Sequence, residues 1–241
     1  MKWIIVTGAT GGLGQAIAEK IFEQTEYGVI SISRSTEYKN EEIIEKYRKR
    51  LKHVKYDLKN IKGIKELYFN HISQIGPIYG LVNNSAIAYD DIVSNLSIDR
   101  LEEMYSINVF SAMHLTKYAI RDMLLYRTKG TIVYISSISA HTGYKGLSMY
   151  ASTKGALEAF SKNIAREWGV RGIRSNCVVP GFMETAISAS LSEQQKEKIY
   201  KRTSLKKTTS IESVANAVVF LLSERAKSIT GTLLHVDNGT I

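Results

Sequence analysis

The chain has 241 residues, 44% of them hydrophobic and 23% charged, which suits a globular domain and excludes a disordered or fibrous one. Its formal net charge of +9 favours anionic partners, and a single cysteine excludes an internal disulfide. No run of about eighteen apolar residues is present, so no membrane-spanning helix and no membrane partner are expected.

The first strand pattern begins at residue 2, which leaves no room for a signal peptide and makes a cytoplasmic location the expectation. Strand-like runs recur near 2–7, 28–33, 53–57, 79–83, 130–136, 173–179 and 232–236. Helical patterns fall near 12–25, 40–51, 60–75, 97–125, 150–169 and 211–223. No Pro/Gly/Ser-rich linker interrupts them. The alternation predicts one α/β domain over residues 1–241, with a mainly parallel seven-stranded sheet doubly wound by helices on both faces.

The apolar run Trp3-Ile4-Ile5-Val6 leads into Thr7-Gly8-Ala9-Thr10-Gly11-Gly12-Leu13-Gly14 and then a helical pattern at Ala16, Ile17 and Ile21. Such a strand–turn–helix junction lets backbone N–H groups and the positive helix end face a pyrophosphate. Gly8 and Gly12 permit close approach, and Gly14 permits close packing of helix on sheet. About twenty positions beyond the glycines, an NAD-binding fold usually carries an acidic residue that accepts from the ribose hydroxyls. Here that position is Ser33, followed by Arg34, whose planar donors suit a 2′-phosphate, so NADP(H) is the expected cofactor.

The basic run from Lys46 to Lys52 raises nucleic-acid binding. It is predicted on the outer side of a helix and no nucleic-acid motif accompanies it, so no such partner is expected. Histidines at 53, 71, 114, 141 and 235 lack ligand spacing, and no metal site is expected.

Leu81-Val82-Asn83-Asn84-Ser85-Ala86 reads as a strand ending in small polar residues, followed by Asn108 within the 97–125 helix. Asparagine there is ordinarily a solvated-face residue. Ile132-Val133-Tyr134-Ile135-Ser136-Ser137 is another strand ending in hydroxyls, and open parallel sheets bind ligands beyond such carboxyl ends. Tyr150 and Lys154 are four apart, on one helical face, where a fixed cation is expected to lower the tyrosine pKa below its usual value of about 10. Cys177 lies in an apolar strand and is expected to be buried.

Taken together, Thr7 to Gly14, Asn83 to Ala86, Asn108, Ser137, Tyr150-x-x-x-Lys154 and Pro180-Gly181 resemble the compact branch of the short-chain dehydrogenase/reductases. The match in order and spacing runs from residue 2 to about residue 239. Ser85 departs from the family's more frequent alanine followed by glycine, and Asp237-Asn238-Gly239 lacks a commoner second glycine. The resemblance implies a Rossmann-type domain in which Ser137 and Tyr150 hold a carbonyl oxygen and Tyr150 donates the proton. It implies that Lys154 binds the nicotinamide ribose and that Asn108 holds a water linking the lysine to solvent.

For the cofactor it implies Gly8, Thr10, Gly12, Leu13 and Gly14 at the pyrophosphate, Asp57 at the adenine and Asn84 beside the adenosine ribose. Pro180, Gly181 and Thr185 would flank the nicotinamide, with a substrate lid over residues 182–205. The whole chain is most similar to the 3-oxoacyl-acyl-carrier-protein reductases. Arg171, with Arg127 and Lys129, would then meet an acidic acyl-carrier protein, and a homotetramer carried by helices 97–125 and 150–169 is implied. The competing enzyme reading is a reductase of a free ketone, sugar or secondary-metabolite intermediate. A dinucleotide-binding scaffold without catalysis is the alternative of another class, and the intact Asn108, Ser137, Tyr150 and Lys154 argue against it.

Overall fold

The computed structural model describes residues 1–35, 41–184 and 192–240. Seven parallel strands form one sheet: β1 (Trp3–Thr7), β2 (Gly28–Ser33), β3 (Leu51–Lys55), β4 (Ile78–Asn83), β5 (Thr131–Ile135), β6 (Arg174–Pro180) and β7 (Leu233–Val236). Their order is β3-β2-β1-β4-β5-β6-β7. The chain therefore reverses its direction of travel between β1 and β4, and a crevice opens beyond their carboxyl ends.

Burial on both faces explains the continuous apolar reading of the inner strands. In β1, Ile4 and Val6 enter one core while Trp3 and Ile5 enter the other, as the two-residue period of a strand requires. The first core is closed by Leu13, Ile17 and Ile21 of α1 (Gly12–Gln24), Ile43 of α2 (Glu41–Tyr47) and Val218 of α8 (Ile211–Leu222). The second is closed by α3 (Ile64–Leu67), α5 (Ser111–Leu125) and α6 (Ser148–Trp168), through Ile64, Leu115, Leu157 and Ile164. Leu157 and Ile164 are buried, and Phe160 and Trp168 pack beside them, so this apolar stripe faces its own sheet.

Several elements differ from the sequence expectation; the helix expected over 60–75, for one, is α3 followed by a π-type turn, Tyr68–Ile72. α2 stops at Tyr47 and β3 starts at Leu51, because the Arg50 guanidinium turns inward to the carbonyls of Phe22, Thr25 and Tyr27 at the end of α1. The basic run is consequently a helix end, a turn and a strand start, not one solvated face. The predicted 97–125 helix is α4 (Ile98–Tyr105) and α5 joined by a wide π-type turn, Ser106–Phe110. Such turns are frequent at functional sites, and Asn108 sits in this one, buried instead of solvated. A further helix, α7 (Glu193–Tyr200), lies within the expected lid. Its capping box is legible as Ser192-x-x-Gln195: the Ser192 hydroxyl accepts from the Gln195 N–H, and the Gln195 side chain accepts from the Ser192 N–H.

Candidate active site

A cleft of about 980 Å³ occupies the carboxyl ends of the central strands. At its floor the glycine turn is held by backbone geometry that only glycine supplies. Gly8 has φ +69, and a Cβ on Gly14 would stand 2.1 Å from the Gly8 carbonyl oxygen and 2.7 Å from the Asn84 amide. Nothing lies within 4 Å of a Cβ added to Gly11 or Gly12, which face open space. No side chain caps the α1 amino terminus and no acidic residue lies in its first turn, so its N–H groups are ready for an anion. Thr10, Leu13 and Gly14 also line the cleft.

The turn is tied to the end of β4. The Thr7 hydroxyl accepts from the N–H groups of Asn84 and Ser85, both at 2.9 Å, and the Asn84 amide donates to the Thr7 carbonyl at 2.9 Å. Asn84 thus braces the two strand ends while lining the cleft.

Ser33, Arg34 and Asp57 line the far end, with Asp57 two residues past β3. The Ser33 hydroxyl is buried with no hydrogen-bond partner among the described residues, and Arg34 is exposed. Arg34 brings a guanidinium with no acidic residue at position 33, a donor set that fits a phosphate.

At the other end stand Ser137, Tyr150, Lys154, Pro180 and Gly181. Lys154 reaches from α6 to donate to the Ile135 carbonyl at 2.9 Å, with its ammonium 5.5 Å from the Tyr150 ring centre. Burial pushes Lys154 down to about 8. Burial also dominates at Tyr150, pushing the phenol up to about 12, with Asp90 adding to the rise and the Ser137 hydrogen bond opposing it. The expected lowering by Lys154 is therefore corrected: the ammonium lies over the ring and points to the strand, while the hydroxyl is governed by its desolvated surroundings.

The Ser137 oxygen accepts from the Ser139 N–H at 3.2 Å and from the Ser139 hydroxyl at 3.0 Å. With two donors on its oxygen, Ser137 is left with its own hydrogen to give. Ser139 had no sequence signal beyond its place near a strand end.

Asn108 does not line the cleft. Its carbonyl oxygen accepts from the Ile87 N–H at 2.9 Å, and its amide donates to the Ile87 carbonyl at 2.9 Å and to the Thr153 hydroxyl at 3.1 Å. It therefore fastens the loop after β4 to the residue preceding Lys154. Both hydrogens of its side-chain amide are thereby engaged, so a water linking it to Lys154 would be held at a carbonyl oxygen, of the side chain or of the main chain. Thr185 lies outside the described residues, as do residues 186–191 of the expected lid. Met183, Ile199 and Arg202, also in that segment, line the cleft. They carry no individual signal in sequence, because these side chains meet the cleft only through tertiary folding. Cys177 is buried as expected, and burial pushes its thiol up to about 12, which makes it an inert core residue.

A family model described as enoyl-(acyl carrier protein) reductase matches residues 8–240. The chain is 36% identical to the 3-oxoacyl-[acyl-carrier-protein] reductase FabG of Aquifex aeolicus, over 99% of this chain and 96% of that protein. It is 33% identical to the protein of the same name from Haemophilus influenzae, over 99% and 97%. A crystal structure from Beutenbergia cavernae, of a protein assigned as an NAD(P)-dependent gluconate 5-dehydrogenase with bound NADP, superposes with a TM-score of 0.92. It is 27% identical, and the match covers 99% of this chain and 96% of that one.

Proposed function

Because the chain belongs to the short-chain dehydrogenase/reductase family, we propose that it is an NADP(H)-dependent oxidoreductase that reduces a 3-oxoacyl thioester on acyl-carrier protein to the 3-hydroxyacyl form. The observation that carries this reading is the meeting of Ser137, Tyr150 and Lys154 with the glycine turn in one cleft. Full-length similarity to two 3-oxoacyl-[acyl-carrier-protein] reductases supports the substrate class.

NADPH, when bound, supplies the hydride that reduces the carbonyl carbon. Gly8, Gly12, Gly14 and the α1 amino terminus would hold its pyrophosphate, and Ser33 and Arg34 its 2′-phosphate. Ser137 and Tyr150 donate hydrogen bonds to the carbonyl oxygen and so favour the charge that grows there. The Tyr150 hydroxyl, protonated at all working pH values, then gives its proton to that oxygen. Lys154, fixed by the Ile135 carbonyl beside the Tyr150 ring, would hold the nicotinamide ribose with its ammonium, and Asn108 keeps α6 and the loop after β4 in register.

Because Lys154 is pushed down to about 8, its charge is lost as pH rises through that value. Reduction should therefore fall above about pH 8 while Tyr150 is still protonated, and a kcat/KM profile from pH 6 to 10 checks this.

We further propose residues 182–205 as the substrate lid, supported by Met183, Ile199 and Arg202 at the cleft. A homotetramer is proposed on the exposed apolar side chains Phe110, Leu125, Tyr126 and Val170, and the stripe through Leu157 and Ile164 gives it no support. Sedimentation at micromolar concentration tests it. The same reading puts the protein in the cytoplasm, which fractionation tests.

One observation favours a second reading, a free acidic sugar or ketone. Lys145 and Arg202 line the cleft together and would suit a substrate carboxylate, in a chain resembling a protein assigned as a gluconate 5-dehydrogenase. Loss of nicotinamide absorbance over a panel with acetoacetyl thioester, acyl-carrier thioester and keto-sugar acids separates the two. Turnover of the thioesters alone supports the first, and of the sugar acids alone the second.

A further inference from the structure

The proposed chemistry leaves one buried ionisable group of the neighbourhood unused. Glu158 stands on α6 one turn beyond Lys154 and is only 7% exposed. A carboxylate is costly to bury without partners, so the contacts it makes identify what it is there to hold. One of its oxygens, Oε1, takes both: the Ser136 hydroxyl donates to it, and the His141 Nε2 lies 2.9 Å away.

These two residues bracket the segment that carries Ser137. Ser136 is still fixed to the sheet, its N–H donating to the Val178 carbonyl at 2.8 Å, and His141 closes the short turn with its N–H on the Ile138 carbonyl at 2.9 Å. Between them Ser139 loads the Ser137 oxygen with two donors. Lys154 grips Ile135 from the same helix. α6 thus holds residues 135, 136 and 141 with two side chains, and Tyr150 is on that helix too.

We propose that Glu158 is a positioning residue for Ser137. It clamps both ends of the 136–141 turn onto the helix that carries Tyr150 and Lys154, so that the Ser137 hydroxyl is kept in register with the Tyr150 phenol. This rests on the reductase reading, in which Ser137 touches the substrate oxygen. Misplacement by about 1 Å far from the reacting bond can cost on the order of 10²-fold in rate, so a clamp of this kind has kinetic weight.

The test is a double-mutant cycle in the full-length protein, with a carbonyl substrate that the unmodified enzyme turns over. Glu158→Ala should lower kcat by roughly 10- to 100-fold with NADPH affinity, measured by fluorescence titration, within about twofold. In a Ser137→Ala background the same change should cost almost nothing more. Glu158→Gln, which keeps an acceptor oxygen for Ser136, should recover most of the rate. Amide exchange over residues 136–142 should quicken in the alanine variant and not in the glutamine one. An equal rate loss in both backgrounds, or an unchanged kcat, overturns the proposal and leaves Glu158 a packing residue. Should Glu158→Ala fail to fold, Ser136→Ala carries the cycle with the same two outcomes. If the unmodified protein reduces no carbonyl substrate at all, the reductase reading fails first, and the exchange experiment still decides whether Glu158 holds the turn.

Discussion

The two ends of the cleft are built on opposite plans. At the end proposed for the carbonyl, Asn108, Lys154 and Glu158 are buried and cross-linked through Ile87, Thr153, Ile135, Ser136 and His141. At the end proposed for the adenosine, Arg34 is exposed and the Ser33 hydroxyl has no partner among the described residues. Bond-making demands distances fixed to a fraction of an ångström, so its side chains are locked by buried hydrogen bonds. Choosing between two cofactors demands only a charge of the right sign at a rim, which an exposed guanidinium supplies. Substitutions should therefore be severe and confined to turnover at the first end, and graded and confined to specificity at the second.

The largest expected effect strikes the locked end. Tyr150→Phe removes the donor hydroxyl and keeps the ring under Lys154, so kcat should fall about 10²–10⁴-fold. Cofactor affinity should stay within about twofold by titration calorimetry, on the physical ground that no charge has moved. Near-native turnover would mean that another group is the acid. The next effect belongs to the rim. A hydrogen bond to a charged group is worth roughly 1.5–3 kcal/mol, so Arg34→Ala should cost about 10- to 150-fold in the preference for NADPH over NADH. Ser33→Asp should move preference the same way by repelling the 2′-phosphate, with turnover on NADH preserved. Equal kcat/KM for both cofactors in the unmodified protein would erase the contrast between the two ends.

The locked end also carries a cost in stability. Holding Lys154 at about 8, down from 10.5, is worth at most about 3 kcal/mol against the folded state at neutral pH. The sign follows from the lowered folded value: the cost is absent above pH 10.5, grows as pH falls from there, and is complete below about 8. Lys154→Met removes that burden but takes one donor from the Ile135 carbonyl, worth about 1 kcal/mol. The variant should be inactive and about 2 kcal/mol more stable at pH 7, with the gain gone above pH 10.5. Urea unfolding of both proteins at the two pH values measures it. A variant less stable at pH 7 would show that burial of the ammonium is fully compensated.

What could be read in advance follows the same division. Strand, glycine turn and helix are local patterns, so β1, the turn and α1 are legible, and the helical spacing of Tyr150 and Lys154 places both on one face of α6. The burial of Asn108 is not legible, because it depends on a π-type turn packed against Thr153, forty-five residues away. The early end of α2 was hidden for a similar reason, since it is set by Arg50 reaching carbonyls more than twenty residues upstream. The direction of the tyrosine pKa is not legible in spacing, which gives a distance between side chains and says nothing of the desolvation that decides the outcome. Glu158 reads in sequence as an ordinary helical glutamate, and only the fold brings Ser136 and His141 to it.

The smallest effect lies outside the cleft and asks whether specificity extends beyond the cofactor. Arg171 is exposed at the end of the turn after α6, and a Cβ on the next residue, Gly172, would stand 2.9 Å from the Lys129 side chain. The Lys129 side chain thus passes close to the residue that follows Arg171, and Arg127, Lys129 and Arg171 are all exposed. Exposed charges of this kind are each worth about 0.2–1 kcal/mol and act mainly on encounter rate. Arg171→Glu should accordingly raise KM for an acyl-carrier thioester by roughly two- to fivefold at low salt and leave a small thioester mimic unaffected. The difference should shrink as ionic strength rises, because the Debye length falls to about 8 Å at 0.15 M. Steady-state kinetics on both substrates at two salt concentrations decides it. An equal effect on both would make Arg171 structural, and no effect on either would favour the free-substrate reading of the same cleft.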